Sequence, residues 1–158
     1  MSLLQRVVVS VTAALILAVL SADAVAEVDR NCLGCLCEAS TGCNFTTQCQ
    51  ETYYGAYFCG PYHISWAYWD EAGRPVLPRD NPANLGAFEH CATDRYCSEK
   101  IVKQYMNKFG KDCDGDGVVS CRDYVRIHKL GKTSCAAPLP PGRFTAQFEE
   151  CAARLAVF

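Results

Sequence analysis

Positive charge is scarce in this chain. Its 15 lysines and arginines are outnumbered by 17 aspartates and glutamates, for a net charge of −2. No basic stripe is present, so nucleic acid is not an expected partner. An anionic bacterial surface would gain no on-rate from the net charge either. Long apolar runs are equally scarce. The only one, residues 7–20, has 14 residues, short of the roughly 20 that a spanning helix needs. It follows Arg6 and precedes Ala22-Asp23-Ala24 and Ala24-Val25-Ala26, two small-x-small sites. That order predicts a cleaved secretory signal over residues 1–26. Residues 27–158 are then a single extracellular domain with no membrane anchor. Losing Arg6 and Asp23 leaves the net charge at −2. No internal repeat or low-complexity tract interrupts it.

Cysteine, in contrast, is abundant: Cys32, Cys35, Cys37, Cys43, Cys49, Cys59, Cys91, Cys97, Cys113, Cys121, Cys135 and Cys151. An even count in an oxidising compartment predicts six disulfides, with the pairing left open. The Cys32-x-x-Cys35 step lacks the second close pair or histidine that a zinc site needs, so zinc is set aside.

Asp29 is placed to cap a first helix through Cys32 and Cys37, stopped by Gly42. Residues 52–58, aromatic and broken by Gly55, predict a hairpin or irregular strand pair. Pro75, Pro78 and Pro82 exclude helix from 73–84. The four-residue recurrence of Cys97, Ile101, Tyr105 and Phe109 predicts a helix over 94–109, with Gly110 as its stop. Ser120 and Asp123 form a capping box for a helix to Leu130. After a proline-rich break, Phe144, Phe148, Cys151, Leu155 and Phe158 share one face of a final helix. The expected fold is α+β and mainly helical, a small disulfide-rich domain with a short β element.

Asp112-Cys-Asp114-Gly-Asp116-Gly117-Val-Val-Ser120-Cys-Arg-Asp123 has the oxygen and glycine spacing of a calcium-binding EF-hand loop. Asp112, Asp114, Asp116, Ser120 and Asp123 are its expected ligands. Asp stands where such loops prefer Glu, and Asp-Gly steps are also ordinary turn chemistry. The calcium would be structural, and no other cofactor is expected. Asn44-Phe45-Thr46 is an acceptor for an Asn-linked glycan.

The run Cys32-Leu-Gly-Cys35-Leu-Cys37-Glu-Ala-Ser-Thr-Gly-Cys43 resembles the opening motif of the invertebrate-type (i-type, destabilase) lysozymes. So does Cys59-Gly-Pro-Tyr-His-Ile-Ser-Trp-Ala-Tyr-Trp69. The cysteine order matches onward through Asp112–Cys121 and Tyr124–His128. The likeness spans Cys32 to Cys135, and insect members are the most similar. It implies a lysozyme-like fold whose helical core and small sheet flank a saccharide cleft. It also implies an activity, cleavage of the β-1,4 bonds of peptidoglycan, with isopeptide cleavage in some members.

The chain departs from that pattern where the chemistry resides. Glycoside hydrolysis needs a proton-donating carboxyl and a second carboxylate across the bond. The family's acid is a Glu at the position of Ser40. Its second carboxylate falls at Thr52 or Tyr53, depending on where the extra residue between Cys49 and Cys59 is placed. A hydroxyl holds its proton too tightly to serve as the acid near neutral pH. The fallback acids are Glu38 and Glu51. Glu38 is about 200° around a helix from Ser40, and both are expected on solvated surface. Isopeptide cleavage needs an activated nucleophile, and Gly55-Ala-Tyr-Phe-Cys59 lacks the family's serines. His128 matches a family histidine but alone reads as a surface or packing residue. Tyr62 and His63 are the expected saccharide contacts, while Trp69 and Ile64 read as core. The expected function is binding of bacterial wall saccharide without muramidase activity. The alternatives are an active lysozyme with displaced carboxylates and a structural protein that kept only the fold.

Overall fold

The computed structural model describes residues 27–157. The secretory signal at 1–26 and Phe158 lie outside them. Six helices and one two-stranded sheet are built from this stretch: α1 (Arg30–Thr41), β1 (Gln50–Glu51), β2 (Tyr57–Phe58), α2 (Trp66–Glu71), α3 (Ala87–Thr93), α4 (Arg95–Phe109), α5 (Cys121–Leu130) and α6 (Arg143–Leu155). No helix among them is long and apolar enough to cross a membrane.

The helix boundaries follow local chemistry. The Asp29 carboxylate accepts from the Asn31 and Cys32 amides at 2.7 and 3.0 Å, satisfying donors that the first turn leaves open. Gly42 ends α1 in the left-handed conformation, φ 70°. Asp94 caps α4 in the same way, through the Tyr96 and Cys97 amides. Ser120 and Asp123 form the expected reciprocal box at α5.

The core lies where α1 packs against α6. Leu33, Leu36 and Ala39 of α1 and Phe148 and Ala152 of α6 are all buried. Full burial of one such large side chain stabilises by about 2–3 kcal/mol. Cys35–Cys151 crosses this interface, and Cys32–Cys121 ties α1 to α5. Cys113–Cys135 closes the segment around α5. Cys37–Cys43, Cys49–Cys59 and Cys91–Cys97 are local. All 12 cysteines are therefore paired.

Two features differ from the sequence expectation. The short helices α2 and α3 were not anticipated. Each spans fewer than eight residues and is held by Trp69 or by Phe88 against the core, so tertiary packing and not periodicity defines them. The hairpin is also smaller than expected. Gln50 pairs with Phe58 and Glu51 with Tyr57, and residues 52–55 are its turn. Tyr53 and Tyr54 are 96% and 91% exposed there, and among the described residues no further strand extends the pairing.

Past the hairpin, Gly60 has φ 72°, and a Cβ on it would fall 1.7 Å from the Ala92 carbonyl oxygen. Only glycine lets the backbone approach α3 this closely. That contact, with the Thr41 hydroxyl donating to the Pro61 carbonyl at 2.7 Å, fixes residues 60–63 beside the end of α1.

Candidate functional site

A cleft of about 340 Å³ opens where four elements converge. The last turn of α1 supplies Ala39 and Ser40, and Phe58 of β2 stands beside the fixed Tyr62–His63 segment. The C-terminal turn of α5 brings His128 and Lys129, and the first turn of α6 brings Arg143 and Phe144. Ser40, Tyr62 and His63 thus meet in one place. Tyr53, Thr52, Glu38 and Glu51 do not line it. Among the described residues no carboxylate does.

His128 is the hub of the floor. Its Nε2 lies 3.0 Å from the Tyr62 carbonyl oxygen, and its Nδ1 lies 3.3 Å from the Tyr68 hydroxyl. A carbonyl only accepts, so Nε2 carries the proton and Nδ1 accepts from Tyr68. Burial pushes the His128 pKa down to about 4, with Lys129 and His63 adding to the depression against the Tyr62 hydrogen bond. The ring is therefore neutral at physiological pH. Tyr68 stacks on Tyr105 with ring centroids 3.7 Å apart. The Tyr105 hydroxyl donates to Glu71, which also accepts from Lys132 at 2.6 Å.

Ser40 cannot act as a nucleophile in this setting. Its hydroxyl donates to the Leu36 carbonyl at 2.8 Å, and its oxygen faces the protonated His128 Nε2 at 3.4 Å. The base that would have to take its proton already holds one. Glu38, two residues earlier, leans the other way and pairs with Arg154 of α6 at 2.6 Å. Glu51 is exposed on β1.

His63 has the left-handed φ of 49°, uncommon for a residue with a side chain. Its Nε2 contacts the Gln50 amide at 3.2 Å. Burial, then Lys129, lowers its pKa. Tyr62 is buried to 2% exposure, with its hydroxyl pKa raised mainly by that burial. Trp69 and Ile64 are core, at 2% and 1%, and the Trp69 indole donates to the Pro75 carbonyl.

The acidic loop divides into two groups. The carboxylates of Asp112, Asp114 and Asp116 each offer an oxygen within 4.8 Å of the others. Asp112 accepts from the Gly115 and Gly117 amides, which lower its pKa. Asp123 is fully buried instead, accepting from the Cys113 and Ser120 amides at 2.7 Å each. Ser120 caps α5. Asn44 is exposed, and its side-chain oxygen accepts from the Thr46 amide and hydroxyl.

Sequence reasoning missed Lys129, Arg143 and Phe144 as cleft residues, and Tyr68 as the partner of His128. The lysine follows His128 directly, and the other two open α6 just after the proline-rich break. Those adjacencies were the available signals.

The Destabilase family model matches residues 29–151. "Invertebrate-type lysozyme 2" of Caenorhabditis elegans is 31% identical over 114 residues, 72% of this chain and 80% of that protein. A lysozyme of Ostrea edulis is 34% identical over 112 residues, 68% of this chain and 69% of that one. Among solved structures, the crystal structure of Tapes japonica lysozyme superposes with TM-score 0.58 at 25% identity, covering 79% of this chain and 89% of that one. The crystal structure of Aeromonas hydrophila PliI in complex with Meretrix lusoria lysozyme also matches with TM-score 0.58 and 25% identity, covering 83% and 93%. The fold, the six bridges and these likenesses agree, and the chain belongs to the invertebrate-type lysozyme, or destabilase, family.

Proposed function

We propose that this is a secreted family member that binds bacterial cell-wall saccharide, in defence or digestion, without cleaving it. One observation carries the reading: the cleft has Ser40 in place of the acid and is lined by no carboxylate among the described residues. The oxocarbenium-like transition state of glycoside hydrolysis is cationic and needs two carboxyl groups around it. Here the only formal charges on the lining are the cations Lys129 and Arg143, which oppose that state. What stays suited to a sugar is the half-buried Phe58 ring with the His63 imidazole beside it. The signal-like start and six disulfides support secretion. The test pairs a pull-down on insoluble peptidoglycan with a cell-wall lysis assay on the same preparation. The expected result is retention without lysis. Lysis that disappears in Glu38→Gln or Glu51→Gln would establish displaced carboxylates and overturn the proposal.

Two further features belong to this reading. A glycan on exposed Asn44 shows as a mass increment on protein from a eukaryotic host, lost in Asn44→Gln. A structural calcium on Asp112, Asp114 and Asp116 is supported by the convergence of their oxygens and by hard-cation preference for carboxylates.

A further inference from the structure

We infer that the cleft selects saccharides bearing a carboxylate, gripped by Lys129 and Arg143, over neutral saccharides of the same length. The inference rests on the saccharide-binding reading and adds the charge of the ligand. Its basis is a local inversion of charge. The chain carries −2 overall, yet the formal charges lining the cleft are two cations. Neither is neutralised: among the described residues, no carboxylate forms an ion pair with Lys129 or Arg143. The nearby acids are engaged elsewhere, Glu38 by Arg154 and Glu71 by Lys132. Burial lowers the pKa of both His63 and His128, so neither imidazole adds to the positive charge near neutral pH.

The two cations are also held in place. Lys129 lies over the Phe144 ring, with Nζ 4.8 Å from the centroid. Arg143 donates from Nε to Gln147 at 3.3 Å, leaving its terminal nitrogens available in the cleft mouth. A sugar ring packed on Phe58 would set an attached carboxylate in the same cleft as both cations. The terminal guanidinium nitrogens can take that carboxylate with two parallel bonds. A neutral sugar offers the cations only uncharged acceptors, which form weaker hydrogen bonds than a carboxylate.

The test is isothermal titration of the disulfide-intact protein with three probes. The first is an oligosaccharide alternating N-acetylglucosamine and N-acetylmuramic acid. The second is the same glycan with every carboxylate converted to a primary amide. The third is lactate alone. The expected result is roughly fivefold tighter binding of the acid than of the amide, the scale of an exposed ion pair. The preference should shrink with added salt. Lys129→Met and Arg143→Met should each reduce it, and together abolish it. Lys100→Met, on exposed α4 surface away from the cleft, should leave it intact. Equal affinity for acid and amide overturns the inference while leaving saccharide binding standing. Competition by lactate at the glycan's own concentration also overturns it, because the ligand would be the anion and not the sugar. Binding of neither glycan removes the proposed function as well.

Discussion

The cleft has two unlike walls. One is the end of α1, pressed on α6 and tied by Cys35–Cys151 and Cys32–Cys121. The other is a hairpin of two residue pairs, held by Cys49–Cys59 and exposed through its turn. The positions at which the sequence resemblance expects the family's two carboxylates, Ser40 and Thr52 or Tyr53, fall one on each. On the helix wall the replacement, Ser40, is fully integrated: it bonds Leu36 and faces His128. On the hairpin wall Thr52 bonds only within its own turn, accepting from the Ala56 amide, and Tyr53 is almost entirely in solvent. A rigid wall that loses its acid must satisfy the site that remains. A loosely held turn accommodates an extra residue at little cost.

The largest expected effect breaks the rigid wall. Cys35→Ser with Cys151→Ser removes a bridge of sequence separation 116; the retained Cys32–Cys121 bridge shortens the loop it closes to about 30 residues, worth about 4 kcal/mol by chain entropy. The Cys49→Ser and Cys59→Ser pair frees a separation of 10, worth about 3 kcal/mol. Urea unfolding of both double variants checks the order, and equal losses would erase the contrast between the walls.

Acid tests the rigid wall through His128. Its folded pKa of about 4 lies below the ordinary 6.5, so on acidification the unfolded chain takes the proton first. Its contribution is complete above pH 6.5 and is lost as pH falls toward 4, about 3 kcal/mol in all. Stability curves of the native protein and His128→Gln should diverge in that window. His63, on the hairpin side, is shifted in the same direction, and His63→Gln should remove only the smaller part of the slope.

Calcium probes whether the entry to α5 is fixed by an ion as well as by Cys113–Cys135. At a hundredfold excess over Kd a native-state site adds about 2.7 kcal/mol. A thermal melt with calcium should rise above one with chelator, and Asp114→Ala should remove the difference. Smallest is Tyr68→Phe, which leaves His128 Nδ1 without its donor. The expected loss is about 1 kcal/mol, together with a change in the His128 titration followed by NMR.

The parts legible in the sequence were those governed by neighbours in the chain. Asp29, Asp94 and the Ser120–Asp123 box announce α1, α4 and α5 because a cap is a contact within three residues. Phe148 and Cys151 of the α6 face were visible as periodicity, whereas Leu155 ends the helix exposed and Phe158 lies outside the described residues. The parts that were not legible depend on distant contacts. Asp123 fits a calcium loop by spacing, but its burial and its bond to the Cys113 amide appear only in the folded chain. His128 looks isolated in sequence because its partners Tyr62 and Tyr68 are more than fifty residues away. The positive lining is hidden for the same reason: Lys129 and Arg143 stand apart in sequence and become neighbours only when α6 folds back over α1.

The bridges that fix α1 also impose an order of assembly. Three of its cysteines sit within six residues, yet their partners lie 89, 116 and 6 positions on. In a chain made from its N-terminus, Cys37 meets Cys43 almost at once, while Cys32 must wait for Cys121. Cys35 must wait longest, because its partner Cys151 is the last cysteine to arrive. Throughout that interval one helix turn displays unpaired thiols beside a finished bridge, open to exchange. Any wrong bridge formed in that interval has to be undone by thiol–disulfide exchange before Cys35 and Cys151 can join. A chain ending before Cys151 keeps a reactive thiol at the centre of its intended core.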